Sequence, residues 1–408
     1  MVPAPKMNFL RVNREGWDGV KRDILHDTGW GCERRRIDSV RLGRIKEMSL
    51  RLRKRRAAAA ARSAGVDGLV VTHLPDVRYL SGFTGSNAAL VLAAGRAVLF
   101  TDGRYTAQVK AEAVGTRVVI ATKPAVSAAC EWMEAAKVRR CGFDAAHTTV
   151  AGLKSMQKAV SAKVRRAMFV PVGPLVARMR EVKDADEIAK IRSAARLGCE
   201  LFEGLLTYLE AGLTELEVAA TLEYAARRAG AEGMSFETIV ASGVRSALPH
   251  GRAAGAKLPK RGFVTLDFGV ILDGYLSDMT RTVHMGKAMP GERDVYDSVL
   301  EAQEAAVAAV APGVTAGEVD EAARSVLQRV KLDKYFSHST GHGVGLEIHE
   351  GPRLAAKQKQ VLEEGMVITI EPGVYLPGRF GLRIEDMVLV TAEGGEVLTP
   401  SVKAWIEL

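Results

Sequence analysis

The chain has 408 residues, 47% hydrophobic and 26% charged, enough to bury a large core in two or three domains and unlike a disordered or collagenous protein. Its four cysteines, Cys32, Cys130, Cys141 and Cys199, contain no CxxC pair; they read as reduced thiols of a cytoplasmic protein and exclude a disulfide scaffold. The formal charge of +9 is concentrated at one end: residues 1–62 hold 17 Lys/Arg against 7 Asp/Glu, so the remainder carries −1 and is not a basic nucleic-acid surface.

Residues 1–47 have poor periodicity, turn residues such as Pro3, Pro5 and Gly16, and the run Arg34-Arg35-Arg36. They are expected to form a basic, disordered extension outside the fold, with Met48 as the functional start; a nucleic-acid-binding arm is the alternative. No stretch there has the apolar core of a signal peptide, and no later one reaches the length of a membrane span.

From Met48 the pattern becomes regular. A basic, Ala-rich helix from Leu50 to Ser63 is followed by apolar strands at Gly68–Thr72, Ala88–Leu92 and from Ala97, then at Val118–Ala121, Arg140–Phe143 and Phe169–Pro171, with helical stretches between them. That alternation predicts an α/β domain over residues 48–175. His73 and His147 lack ligand spacing and read as surface or hydrogen-bonded histidines; Gly82, Gly85 and Gly103 read as turn glycines, because no GxGxxG joins a strand to a helix.

Residues 176–408 carry an internal duplication. Gly212-Leu-Thr-Glu-Leu-Glu-Val218 and Gly313-Val-Thr-Ala-Gly-Glu-Val319 share G-[LV]-T-x-x-E-V, each a helix end at Gly followed by a capping box in which Thr214 or Thr315 takes an orphan amide and Glu217 or Glu318 reaches back. The downstream strands match as well: His250 corresponds to His349, Asp267 to Glu371 and Asp278 to Glu385. Each half contributes a histidine and two carboxylates, and packing about a pseudo-twofold axis would bring four carboxylates to one centre.

The first pair can be placed in register. Asp273-Gly274 between two β-prone runs is a two-residue hairpin turn, so Leu272 and Tyr275 pair and Asp278 falls opposite Gly269. Asp267 and Asp278 then share a face as diagonal neighbours among apolar flanks, where like charges repel unless a cation joins them. With His342, in the glycine-rich run Gly341-His-Gly-Val-Gly345, the expected metal ligands are Asp267, Asp278, His342, Glu371 and Glu385. This oxygen-rich set favours Mn²⁺, with Co²⁺, Zn²⁺ or Fe²⁺ also able to bind, and four carboxylates suit two divalent ions. Such a pair can hold a bridging hydroxide, which implies hydrolysis. Glu371 is the candidate general base, and His250, His338 and His349 are candidates for binding the substrate carbonyl or leaving nitrogen. Arg383 would orient a ligating carboxylate, and His284 reads as structural. His349-Glu350 is not a zinc HExxH motif, because position 353 is arginine.

These blocks, Thr265-Leu-Asp267-Phe-Gly, Ser277-Asp278-Met-Thr-Arg, Gly341-His342-Gly-Val-Gly, Ile370-Glu371-Pro-Gly and Arg383-Ile-Glu385-Asp, resemble those of the pita-bread metallopeptidases. Residues 48–175, with Tyr79-Leu-Ser-Gly-Phe-Thr-Gly-Ser86 and Thr101-Asp-Gly-Arg-Tyr105, resemble the creatinase-type amino-terminal domain of Xaa-Pro aminopeptidases and Xaa-Pro dipeptidases, or prolidases. The resemblance implies an α/β (α+β) fold, a creatinase-like domain followed by a pita-bread catalytic domain, and a cytoplasmic, homodimeric dimetal enzyme. It implies that peptides with proline in second position are the substrates, cut at the bond between the amino-terminal residue and proline. It also assigns the five ligands, the base Glu371, the three histidines and Arg383 to the roles above. Methionine aminopeptidases match only the second half, and creatinase lacks the metal ligands. The amino-terminal motifs lean towards an aminopeptidase, with a dipeptidase as the alternative and a non-catalytic peptide binder as a third reading.

Overall fold

Residues 32–408 are described by the computed structural model, with side chains from Glu47 onward; residues 1–31, most of the expected extension, lie outside the described residues. Helix α1 runs Cys32–Ser63. It starts well before the expected Leu50, because residues 32–49 are mostly good helix formers and no proline interrupts them. Among the described residues the chain forms two compact units, one ending at Arg180 and the other spanning Glu181–Leu408.

The first unit is built on one mixed sheet. Strands β1 (Gly68–Val71), β2 (Ala89–Ala93), β3 (Arg96–Asp102), β4 (Arg117–Ala121), β5 (Cys141–Asp144) and β6 (Phe169–Val172) lie in the order β4-β3-β2-β1-β5-β6. β1 and β2, whose connection carries helix α2 (Leu74–Ser81), and β2 and β3, joined by a tight turn, are antiparallel neighbours; β3–β4, β1–β5 and β5–β6 are parallel. Both faces of β1 and β2 are buried, so these strands read as continuous apolar runs rather than alternating ones. Val70, Val91, Phe100 and Phe143 pack with Ala129 and Met133 of α3 (Ala125–Ala135) and Met156 of α4 (Val150–Lys158).

The second unit repeats one supersecondary pattern. Helix α5 (Ala185–Leu206) leads to α6 (Glu215–Arg228), and α7 (Glu292–Ala308) leads to α8 (Ala316–Arg329). Both expected capping boxes form: Thr214 accepts from the Glu217 amide and Thr315 from the Glu318 amide, with both glutamates bonded back. The bonds anchoring these turns are duplicated. Gly212 N–H donates to the Leu258 carbonyl at 3.0 Å and Leu258 N–H to Leu213 at 2.7 Å; Gly313 donates to Leu362 at 3.0 Å and Leu362 to Val314 at 2.8 Å.

Each half then adds an antiparallel ladder. In the first, β8 (Ile239–Ser242), β9 (Gly262–Phe268) and β12 (Met279–Met285) form a sheet in the order β12-β9-β8. The intervening hairpin joins β10 (Val270–Leu272), which also pairs with β7 (Gly233–Met234), to β11 (Tyr275–Leu276). The expected turn is present, with φ of +49° at Asp273 and +73° at Gly274. Paired positions sum to 547 both in that hairpin and in the β9–β12 ladder, so the register survives the break at Gly269.

In the second half, β13 (Gly341–Gly343), β14 (Glu350–Leu354), β15 (Val367–Ile370), β18 (Asp386–Thr391) and β19 (Gly394–Val397) form the order β14-β13-β15-β18-β19. The hairpin of β16 (Gly373–Leu376) and β17 (Phe380–Arg383) sits between β15 and β18. Val264, Leu266 and Phe268 on alternate positions of β9 pack on Leu201, Phe202 and Leu222; Ile368 and Ile370 of β15 pack likewise on Val299, Ala302 and Val319. Each such side chain contributes about 1.5–3 kcal/mol on burial. The opposite face, carrying Thr265 and Asp267 or Thr369 and Glu371, is left for polar groups.

Candidate metal centre

Alternation along β9 puts Asp267 on the face away from the helices, and the continuous register puts Asp278 diagonally across from it. At Gly269 a Cβ would lie 1.7 Å from the Ser277 carbonyl oxygen, so only glycine allows the two chains to pass here. Glu385 reaches the same point from the second half: its N–H donates to the Thr280 carbonyl at 3.1 Å, and the Thr280 hydroxyl donates to its Oε2 at 2.6 Å. Ligand oxygens of Asp267, Asp278 and Glu385 all lie within 4.8 Å of one another, and the three residues are only 6, 4 and 2% exposed.

His342 and Glu371 complete the group. Gly341 permits the approach, since a Cβ there would meet the Thr369 carbonyl oxygen at 1.8 Å. Nδ1 of His342 lies 3.1 Å from the Gly343 carbonyl, to which it can only donate, so Nε2 carries the lone pair. That nitrogen lies 3.4 Å from Glu371 Oε1 and 3.6 Å from Asp278 Oδ2. Burial, reinforced by His349, lowers His342 to about 4 and keeps it neutral. An unprotonated nitrogen thus faces two acceptors.

The electrostatics point the same way. Burial, then Glu385, Asp267 and Glu371, raise Asp278 well above the ordinary carboxylate range; burial, then Glu371 and Asp267, raise Glu385. Burial pushes Glu371 up to about 8 despite Arg383, with Asp267 adding to the rise. Buried Asp267 Oδ1 has no hydrogen-bond partner. Four carboxylates against one guanidinium leave a local deficit of positive charge, and an orphaned oxygen beside a lone-pair nitrogen is suited to a hard or borderline cation.

Arg383 and Tyr375 frame the cluster. Gly373 pairs with Arg383 and Tyr375 with Gly381, so Arg383 and Tyr375 are diagonal neighbours on the β16–β17 hairpin. Arg383 forms a short ion pair with Asp267 Oδ2 and donates to the Tyr375 hydroxyl at 2.6 Å, Thr280 Oγ1 at 3.1 Å and the Pro249 carbonyl at 3.1 Å. The Tyr375 hydroxyl, already accepting from Arg383, lies 2.9 Å from His338 Nε2 and donates to it, while His338 Nδ1 donates to Ser339 O. Burial raises Tyr375 to about 12, and burial with Arg383 lowers His338 to about 4.

The structure therefore brings Asp267, Asp278, His342, Glu371 and Glu385 together. Arg383 joins them through Asp267. His349 is 4.4 Å from His342, ring centre to ring centre, and exposed His250 lies close enough for its charge to lower both His338 and His349. Both ring nitrogens of His338 are engaged here, because the Tyr375 hydroxyl folds back onto it. His284 is buried, with Nδ1 on the Gly286 carbonyl and Nε2 facing Glu292, as expected of a structural residue. Tyr375, Thr280 and Arg281 were not anticipated. Buried Arg281 donates to the carbonyls of Glu385, Thr399 and Ser401 and to Asp386, fixing the segment that carries Glu385. The available signal for Tyr375 was its alternation with Gly373 on the hairpin that ends at Arg383.

Comparison with known proteins gives this geometry a family. The pattern of metallopeptidase family M24 matches residues 189–392, and that of the creatinase/prolidase N-terminal domain matches residues 53–182. An uncharacterized peptidase, YqhT, of Bacillus subtilis is 38% identical over 344 residues, 84% of this chain and 96% of the relative. A solved Xaa-Pro dipeptidase from Bacillus anthracis superposes with a TM-score of 0.85 at 38% identity, covering 88% of this chain and all of the other. An X-Pro aminopeptidase from Thermotoga maritima superposes with a TM-score of 0.78 at 34% identity, covering 86% and 100%. The chain belongs to metallopeptidase family M24, with a creatinase-type amino-terminal domain and a pita-bread domain. Among the described residues no helix is long and apolar enough to cross a membrane.

Proposed function

We propose that this member of metallopeptidase family M24 is a divalent-metal Xaa-Pro dipeptidase, cutting the bond between an amino-terminal residue and a carboxy-terminal proline. The observation that carries the reading is the buried cluster of Asp267, Asp278 and Glu385, with the orphaned Asp267 Oδ1 and the Nε2 of His342 at its edge. Those four residues and Glu371 would hold two divalent ions, Mn²⁺ before Co²⁺, Zn²⁺ or Fe²⁺. Bound ions supply an activated water and a Lewis acid for the scissile carbonyl.

The protein's own groups do the rest. Glu371, beside the His342 nitrogen at the edge of the cluster, is placed to take a proton from the attacking water and return it to the amide nitrogen of proline, which leaves poorly until protonated. Arg383 holds Asp267 by one oxygen and leaves the other open. Tyr375 fixes the tautomer and orientation of His338. His250 and His349 supply donors for the substrate carbonyl and its developing charge.

Likeness to a solved dipeptidase at 38% identity supports dipeptide substrates over the aminopeptidase suggested by the amino-terminal motifs. So does Arg353, which is exposed on β14 and pairs with His342 on β13, so that both side chains project from one face. A guanidinium there can hold the free carboxylate of a dipeptide. The aminopeptidase reading keeps support from the Thermotoga maritima structure. The implied cytoplasmic homodimer is carried with this reading and is checked by sedimentation velocity.

Metal-stripped protein should cleave Ala-Pro only after Mn²⁺ is added, spare Ala-Ala, and cleave Ala-Pro-Ala poorly. Arg353→Met should raise KM for Ala-Pro and leave Ala-Pro-amide unchanged. Efficient removal of Ala from the tripeptide would make the protein an aminopeptidase. Absence of metal-dependent cleavage of any of these peptides would remove the catalytic reading.

A further inference from the structure

Two of the three histidines expected to bind substrate, His250 and His338, sit on loops that are held in the same way by different residues. In the first half Glu215, at the start of α6, is fully buried. Its Oε1 accepts the Ser242 amide and hydroxyl, both at 2.9 Å, and its Oε2 accepts the Ala254 amide at 3.1 Å and Arg245 Nε at 3.0 Å. Ser242 ends β8 and Ala254 lies beyond His250, so one carboxylate ties both ends of the loop that carries this histidine. Arg245 then reaches across the loop: its Nη2 donates to the Arg252 carbonyl at 2.8 Å, and the Arg252 amide donates to the His250 carbonyl at 2.9 Å.

In the second half Asp320 of α8 is equally buried. Its Oδ1 accepts the Thr340 amide at 3.2 Å and hydroxyl at 2.7 Å, with Arg324 Nη2 at 3.1 Å, and its Oδ2 accepts Arg324 Nε at 2.7 Å. Arg324 also reaches the chain that leads into β13, donating to the His338 carbonyl at 2.6 Å and the Phe336 carbonyl at 3.2 Å, with its guanidinium 4.3 Å from the centre of the Phe336 ring. The two arrangements match group for group. One carboxylate oxygen takes the amide and hydroxyl of a Ser or Thr, the other takes an arginine Nε, and the far end of that arginine holds a carbonyl of the histidine loop.

Duplication does not account for the match. The cap residues Thr214 and Thr315 are equivalent, but Glu215 is the first residue after its cap and Asp320 the fifth after its own; Arg245 comes from the loop and Arg324 from the helix. The same clamp therefore occupies non-equivalent positions in the two halves and is not a copy. Nor does stability call for it, since apolar residues in place of a buried ion pair serve a fold as well or better. What a carboxylate and a guanidinium add is direction, through charge-assisted bonds of fixed geometry. We propose that Arg245 with Glu215, and Arg324 with Asp320, are positioning residues that hold His250 and His338 towards the substrate. The proposal rests on the peptidase reading for what the histidines do, and not for how their loops are held.

The test uses the full chain with Mn²⁺. Arg245→Met and Arg324→Met leave each carboxylate its Ser or Thr bonds, so both proteins should fold and bind wild-type amounts of metal by elemental analysis. Each should lower kcat for Ala-Pro about 10–100-fold and change KM by less than about threefold, the pattern of a misplaced group that acts on the transition state. A residue that works through its histidine loses its effect once that histidine is gone: in a His250→Ala background Arg245→Met should cost less than about twofold, while Arg324→Met keeps its full factor. The reverse should hold in His338→Ala. An arginine that keeps its full factor in the background of its own histidine overturns the proposal, as does wild-type kcat in either single variant. Hydrogen–deuterium exchange reads the clamps without activity. Arg245→Met should lose protection in residues 243–253 and Arg324→Met in residues 336–340, each sparing the other loop, and unchanged exchange overturns the clamps. If the wild-type protein cleaves none of the peptides, the peptidase reading fails by itself and exchange alone decides the clamps. Should Arg245→Met not fold, Arg245→Lys, which keeps a cation beside Glu215 but cannot also reach the Arg252 carbonyl, replaces it in both measurements with the same outcomes.

Discussion

The two halves of the catalytic unit are each one long hairpin, broken near its ligands. In the first, paired positions sum to 547 from the β9–β12 ladder through the β10–β11 tip; in the second they sum to 756 from the β15–β18 ladder through the β16–β17 tip. The odd sum follows from a two-residue turn, Asp273-Gly274, and the even one from a three-residue turn, Pro377-Gly378-Arg379. Hence Glu371 falls directly opposite Glu385, whereas Asp267 and Asp278 are diagonal. The tips differ too. Tyr275 and Leu276 of the first pack with Ile191 and Ala195 of α5, and the Tyr275 hydroxyl donates to Glu187 at 2.9 Å. The second tip presents Tyr375 and Arg383 to the carboxylates. A duplicated frame thus supplies a shared cluster, and one half has turned its hairpin tip into the arm that positions it.

If the centre is shared, damage from either half should be equivalent. Asp278→Ala and Glu385→Ala should each lower kcat/KM by at least about 10³-fold, roughly 4 kcal/mol, with matching loss of bound metal by elemental analysis. Substantial activity in one variant only would mean that one half carries the chemistry alone. The tips should not be equivalent. Tyr375→Phe, which frees His338 and removes one partner of Arg383, should cost about 10–100-fold in kcat, a scale typical of groups that orient ligands. Tyr275→Phe should leave kcat unchanged and appear only in thermal melting.

How much of this was legible depended on how local the cause is. The Asp273-Gly274 turn, its register and the capping boxes at Thr214 and Thr315 are short-range, and each could be read from adjacent residues. Duplication extended that reading to the grouping of Asp267, Asp278, Glu371 and Glu385, because one half served as a template for the other. The partner of Tyr375 was not legible: its bond to His338 spans 37 residues, and alternation on the hairpin gives its face but no sign of what it meets. Arg383 was expected beside a ligating carboxylate, but which one was not legible, because Asp267 lies 116 residues away. The rings of His73 and His147 stack because β1 and β5 are parallel neighbours, and that crossover leaves no periodic trace. Helix α1 began earlier than expected because charged residues that looked like a tail are also good helix formers.

Removing the metal should expose the repulsion that both halves share. In the metal-free protein Asp278, Glu371 and Glu385 all hold protons more tightly when folded than when unfolded, Glu371 up to about 8. The folded state therefore binds the extra protons, and its stability should fall as pH rises from about 5 to about 8. Divalent ions replace those protons, so the Tm gain on adding Mn²⁺ should grow over the same window. Asp278→Asn and Glu385→Gln should each flatten the metal-free profile. A Tm of the chelated protein that rises with pH through this window would show that the three carboxylates are not held in mutual repulsion.

The smallest effects test the frame rather than the centre. Thr214→Ala and Thr315→Ala each remove a hydroxyl accepting from a helix-start amide, at 3.1 Å in the first half and 3.2 Å in the second. Each should cost about 1 kcal/mol of stability, with kcat/KM unchanged. The caps share no hydrogen-bond partner, so the double variant should lose the sum, about 2 kcal/mol, in one denaturant transition, because the strands after both caps carry one cluster. Two resolved transitions would mean that the halves unfold separately. The cluster at their junction would then need metal to hold it together, and adding Mn²⁺ should merge the transitions into one.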